Sequence, residues 1–204
     1  MQADLKSPLL AAATRSLAGV NIRWLGFQPD TCQRIYYANH TSHLDALLIW
    51  AALPPEVRAL TRPLAASDYW SANKLRSRLA GRALNPVFIN RALVKPSCNP
   101  INFILKSIGT RYSLIMFPEG TRNPGPEVGE FKSGLYYLNK KKRELELVPV
   151  FIENLHRILP KGEFFPVPLL SALIFGPPIR LFDYEPKAAF LKRARQALCS
   201  LEYL

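Results

Sequence analysis

Two short stretches carry residue types fit for chemistry: NHTSHLD at 39–45 and FPEGTR at 117–122. In the first, His40 and Asp45 stand five positions apart. On an unbroken helix that spacing rotates them by roughly 140°, off any common face. They meet only if His40 lies in the turn before a helix and Asp45 in its first turn. Ser42 and Asp45 read as an S-x-x-D capping box, which puts the helix start near Ser42. Asp45 then accepts the Nδ1 proton of His40 and fixes the tautomer, leaving Nε2 to deprotonate a hydroxyl. The helix N-terminus disfavours imidazolium and offers N–H donors to a developing oxyanion. The plainer alternative is that Asp45 only caps the helix and His40 is a loop histidine. No G-x-S-x-G elbow occurs, and Ser42 is better used as a cap, so direct attack by a bound hydroxyl is favoured over an acyl-enzyme. His43 forms H-x-x-H with His40, but without a matching ligand set packing or capping suits it better than metal.

In FPEGTR, Gly120 permits a tight turn and close approach of a ligand to the backbone. Arg122 carries a planar fork matched to phosphate. Glu119 either accepts from a polyol hydroxyl or holds Arg122. Thr121 lies between them. The alternative is an ordinary strand–turn with a surface ion pair. Downstream, GEFKSG (129–134) supplies Lys132, a further phosphate ligand or a solvated lysine, and Arg91 after PVFIN is another candidate cation. The two stretches together suit transfer of an acyl group onto a phosphorylated alcohol.

These residues need a scaffold, and short apolar runs alternate with helical patterns. Strands are expected at RIYYA (34–38), VRALT (57–61), SLIMF (113–117), VPVFI (148–152) and LLSALIF (169–175). Helices are expected at 41–53 and 67–80. Another should open at Asn99-Pro100, an N-cap followed by Pro at the first helical position, and run to about Ser107. The tail from Pro186 onward has helical spacing. Pro149 inside its run suggests an edge strand or a bulge. The alternation implies one α/β domain over 1–204, with a largely parallel or mixed central sheet flanked by helices. In such sheets ligands bind beyond the carboxyl ends of the strands. His40, Arg91 and Glu119 each follow a strand, so they would converge on one edge.

The chain has 204 residues, enough for one sizeable core, and 27 basic against 15 acidic side chains, net +12. That excess implies an anionic partner. Between residues 58 and 95 stand Arg58, Arg62, Lys74, Arg76, Arg78, Arg82, Arg91 and Lys95 against Asp68 alone. The run is either a solvated face or a surface for acidic donors or lipid. No helix-turn-helix, zinc or RRM signature accompanies the charge, so nucleic acid is not an expected partner. Three dispersed cysteines (Cys32, Cys98, Cys199) form no disulfide framework and favour a reducing compartment. No apolar run reaches the roughly 18–20 residues that span a bilayer. Residues 1–30 read as an amphipathic or membrane-proximal helix, ahead of a catalytic body over 31–204.

Four blocks in order give the chain a family likeness: NHTSHLD, NPVFINR ending at Arg91, FPEGTR, and LVPVFI at 147–152. With these it resembles the bacterial 1-acyl-glycerol-3-phosphate (lysophosphatidic acid) acyltransferases of the glycerolipid acyltransferase superfamily. The resemblance implies His40 as catalytic base, Asp45 as its orienter, and Arg91, Glu119, Gly120 and Arg122 in acceptor binding; Thr121 and Lys132 stand beside them as further candidates of the substrate site. It implies an acyl-CoA or acyl-carrier-protein donor, a lysophospholipid acceptor, no metal and no further cofactor. The expected place is a membrane surface, at the cytoplasmic face of the inner (plasma) membrane. Contact there would involve residues 9–25, the basic run, or FFPVPLL (164–170), which also suits plain core. The second block departs from the usual pattern, with Asn85 where Gly is usual and Asn90 where Asp or Arg is frequent.

Overall fold

A strand buried at every position, such as RIYYA, lies in a sheet covered on both faces. A computed structural model of the chain describes residues 12, 20–42, 44–66, 84–89, 99–123, 125, 127–153 and 172–203. Its strands are β1 (Asn21–Trp24), β2 (Arg34–Ala38), β3 (Thr61–Ala66), β4 (Val87–Ile89), β5 (Ser113–Met116), β6 (Glu146–Glu153) and β7 (Ala172–Phe175). They form one sheet in the order β1-β7-β6-β2-β5-β3-β4. From β6 to β4 all neighbours are parallel; β7 is antiparallel to β6, and β1 runs with β7. The sheet is therefore mixed, within the expected class. The carboxyl ends of β2, β3, β4 and β5 share one edge.

Alternation along the strands divides the core in two. Tyr36, Ala38, Ile115, Val148 and Val150 face one layer, packed by Leu48, Ile49 and Trp50 of α1 (Asp45–Ala52) and Val57 of α2 (Pro55–Ala59). Ile35, Tyr37, Leu114, Met116 and Leu147 face the other. That layer is closed by Ile104 and Ile108 of α3 (Pro100–Ile108), Leu135 and Leu138 of α4 (Gly134–Lys141), and Phe190, Ala194 and Leu198 of α5 (Lys187–Cys199). A 3₁₀ turn, Ser200–Tyr203, follows α5. At α3 the side chain of Asn99 accepts from Ile101 N, the expected cap.

Two expectations need correction, and a third, the edge strand or bulge at Pro149, is decided in favour of the bulge. VRALT is not a strand: α2 occupies Pro55–Ala59, and the strand begins at Thr61. A short apolar run has no decisive period, and Pro55 is pre-organised for a first helical position. The helix expected from 41 begins only at Asp45, because the preceding residues wrap around its carboxylate. Pro149 does not lie on an edge strand, since β6 is flanked by β2 and β7. It sits instead at a register step. Val150 pairs with Phe175, but Leu147 bridges Ile179, so one extra residue enters the opposite chain. The Pro149 carbonyl accepts from Gly176 N, and its missing donor faces that disrupted side.

The basic run is also partly internal. Arg58 is buried, its guanidinium 5.3 Å from the Trp50 ring centroid. Arg62 donates to the carbonyls of Asn85 and Ser107. These two arginines are packed into the body, not arrayed for solvent or an anion. The other cations of that run, the helix expected at 67–80, His43, Cys98, residues 164–170 and nearly all of residues 1–19 lie outside the described residues; the helix expected over 1–30 does not reach its end, since residues 21–24 form β1 and belong to the sheet.

Asn139 is fully buried and joins two chain segments: its Nδ2 donates to Leu145 O and its Oδ1 accepts from Leu181 N. Asn139→Ala strands both backbone partners and should lower stability by about 2–4 kcal/mol, read as a fall in urea midpoint at constant m-value.

Candidate active site

Asp45 is the most constrained polar group at the carboxyl edge of the sheet. It is fully buried, and one oxygen, Oδ2, accepts from Thr41 N (2.8 Å) and Ser42 N (2.9 Å) and contacts His40 Nδ1 at 2.8 Å. Leu44 N donates to Ser42 Oγ, which closes the turn. The helix N-cap is Leu44, with no side-chain cap bond, so the S-x-x-D box expected at Ser42 does not form at the helix start; Asp45 instead accepts from two backbone N–H groups of the preceding turn. A carboxylate only accepts, so Nδ1 carries the proton and the Nε2 lone pair is left for chemistry. The His40 side chain is 21% exposed, enough for Nε2 to meet a ligand.

Asn39, directly before His40, is buried and donates from Nδ2 to Ile152 O while its Oδ1 accepts from Ile152 N. That pair extends the β2–β6 ladder by one step through a side chain, so the chain leaves the sheet in a fixed direction.

The second stretch is bonded directly to the first. Glu119 Oε1 accepts from His40 N at 2.9 Å, and Asn123 N donates to His40 O at 2.8 Å. The His40 ring stacks on Phe117, centroids 4.0 Å apart and planes 15° from parallel. Both polar backbone groups of His40 and one face of its ring are thus engaged by residues 117–123. β2 and β5 are hydrogen-bonded neighbours, which is why these two distant stretches emerge side by side.

Glu119 is turned inward. It is 6% exposed, and Oε2 accepts from Gly129 N at 2.9 Å while Oε1 serves His40. A polyol contact was expected of it; its geometry makes it a strut between two loops. Gly120 has φ +73, the left-handed turn foreseen for it, and a Cβ there would come within 2.8 Å of Lys132 Nζ. The Lys132 chain therefore lies across the Gly120 turn, and its backbone N donates to Pro118 O. Thr121 and Arg122 are exposed on the same loop, which Asn123 closes by accepting from Gly125 N and donating to Glu127 O. The arrangement brings together His40, Asp45, Glu119, Gly120 and Lys132, with Thr121 and Arg122 on their rim. Arg91 lies outside the described residues, although β4, two residues upstream, ends on the same edge. Among the described residues no cluster of metal-ligating side chains occurs.

Sequence reasoning passed over Asn39, Phe117, Asn123 and Gly129. Their work is done by backbone bonds, stacking or lack of a side chain, which residue type alone does not announce.

The site thus sets a histidine against a buried aspartate, beside a glycine-turn loop, on a mixed α/β sheet. The chain belongs to the acyltransferase family, whose model, described as Acyltransferase, matches residues 26–153. That span includes all four sequence blocks. Among curated proteins the chain is similar to the 1-acyl-sn-glycerol-3-phosphate acyltransferases of Limnanthes alba (27% identical over 174 residues, 82% of this chain and 58% of the relative) and Cocos nucifera (25% over 167 residues, 78% and 50%). It spans little more than half the length of these relatives. The crystal structure of the 1-acyl-sn-glycerophosphate (LPA) acyltransferase PlsC from Thermotoga maritima shares the fold, with a TM-score of 0.74 at 19% identity, covering 97% of this chain and 78% of that one.

Gly120→Ala forces a Cβ into left-handed backbone and against Lys132. It should cost about 1–2 kcal/mol in thermal or urea unfolding, and Gly120→Asn, which tolerates that backbone, should cost less.

Proposed function

We propose that this protein is an O-acyltransferase that moves a fatty acyl group from an acyl thioester, acyl-CoA or acyl-carrier protein, to a free hydroxyl of lysophosphatidate or a related lysophospholipid. The observation that carries the reading is the 2.8 Å contact of His40 Nδ1 with Asp45, made beside a loop that presents Arg122 and Lys132. His40 Nε2 removes the hydroxyl proton as the oxygen attacks the thioester carbonyl. The tetrahedral oxyanion collapses, the C–S bond breaks, and the proton passes from imidazolium to the departing thiolate. The products are an ester and a free thiol, with no acyl-enzyme between them. General base catalysis of this kind supplies about 10²–10⁴ in rate.

Arg122 and Lys132 take the acceptor phosphate, joined by Arg91. Gly120 and Thr121 keep the loop backbone close to it, and Glu119 holds the frame from behind. No metal or further cofactor enters the scheme. The working place is a membrane surface on its cytoplasmic side, met peripherally or monotopically. No helix among the described residues is long and apolar enough to cross a bilayer. The net charge of +12 suits anionic lipid and either acidic donor.

His40→Ala should abolish thiol release from acyl-CoA in the presence of lysophosphatidate while leaving the circular dichroism spectrum intact. Turnover near that of the parent would eliminate the mechanism. Arg122→Ala should raise the acceptor KM more than it lowers kcat, because phosphate binding is shared by ground and transition states. An unchanged acceptor KM would remove Arg122 from the site.

A further inference from the structure

His40 is fixed by Glu119, and Glu119 is itself held from the far side of the sheet. Glu119 Oε2 accepts from Gly129 N, whose peptide unit ends in the carbonyl of Val128. That carbonyl accepts from Nε of Arg195, at 3.1 Å, and from its Nη2; the Gly129 carbonyl also accepts from Nε, at 3.2 Å. Arg195 lies on α5, beyond the 26–153 span of the family match and outside all four sequence blocks. A continuous chain of bonds thus runs from the Arg195 guanidinium through one peptide group and one buried carboxylate to the backbone of His40.

Each link has a physical reason. A buried carboxylate is costly unless donors and a compensating charge are close. A cation on the carbonyl side of a peptide polarises the group and makes its N–H a stronger donor. Arg195 therefore strengthens the bond that holds Glu119. Gly129 is required at the joint, because a Cβ there would stand 2.6 Å from Glu119 Oε2. The same turn of α5 is tied to β2, where Tyr37 OH donates to Ala194 O at 3.1 Å. The cation and the strand leading to His40 are thus held in one frame.

We propose that Arg195 is a positioning residue for the His40 base, acting through the Val128–Gly129 peptide and Glu119 without touching substrate. The inference rests on the acyl-transfer reading of the site and names a residue that reading does not include.

The test uses the full chain with oleoyl-CoA as donor and 1-oleoyl lysophosphatidate as acceptor. Arg195→Gln should lower kcat by roughly 10–100-fold, the scale of a small misplacement of a catalytic group, with acceptor KM unchanged. Arg195→Lys should recover part of the loss. Glu119→Gln should lower kcat likewise, and the double variant should be no slower than Glu119→Gln alone, because both break one chain. A readout independent of turnover is the NMR shift of the His40 ring protons, moved by stacking on Phe117. Arg195→Gln should carry it toward the unstacked value at unchanged circular dichroism. Should Arg195→Gln not fold, Gly129→Ala interrupts the same chain at its joint with Glu119 and carries the same expectations. Parent-like kcat and parent-like His40 shifts would overturn the proposal, as would losses that multiply in the double variant. If His40→Ala keeps its activity, the acyl-transfer reading fails instead, and the NMR shift still decides whether Arg195 orders His40.

Discussion

One carboxylate oxygen organises the site. Asp45 Oδ2 gathers two backbone N–H groups and an imidazole nitrogen within 2.9 Å, at a position with no solvent exposure. Three donors on one acceptor leave the turn at 40–44 little freedom, and the imidazole inherits that rigidity. The delayed start of α1 follows from the same constraint: residues that could have begun the helix wrap its first acid instead. The turn before α1 has been made a holder for an imidazole by two backbone N–H groups that precede the helix.

The second layer of constraint is the sheet. Since β2 and β5 are adjacent and parallel, the loops after them are brought together by ladder hydrogen bonds, not by flexible side chains. Glu119, Asn123 and Phe117 lock that adjacency onto His40. The cationic groups that stay on the surface, Arg122 and Lys132, are mounted on the same loop, so charge and base keep a fixed relation.

Much of this was legible from residue order. Every strand run except VRALT became a strand, and the S-x-x-D pattern marked the acid that closes on His40. The failures have local causes. Pro54-Pro55 turned an apolar run into a helix, since a five-residue stretch has no period of its own. Pro149 left edge and bulge open in the sequence, and the pairing decides for the bulge, whose register step absorbs a missing donor inside the sheet. For Glu119 the sequence offers a polyol contact or a hold on Arg122 and shows a carboxylate without its direction; burial and bonds to His40 N and Gly129 N make it part of the frame. Gly129 and Arg195 were invisible for a related reason. One acts by lacking a Cβ, and the other reaches carbonyls 66 and 67 residues away in sequence.

The placement of β2 and β5 at the middle of a seven-stranded sheet has a dynamic consequence. Strands at the rim, β1 and β4, have a neighbour on one side only and are short, so their amides exchange with solvent through low-energy fraying. Amides in the central pair are released only when most of the molecule opens. The relative placement of the His40 ring and the 117–123 loop is therefore set by the strands least open to fraying, and the margins can breathe without disturbing it.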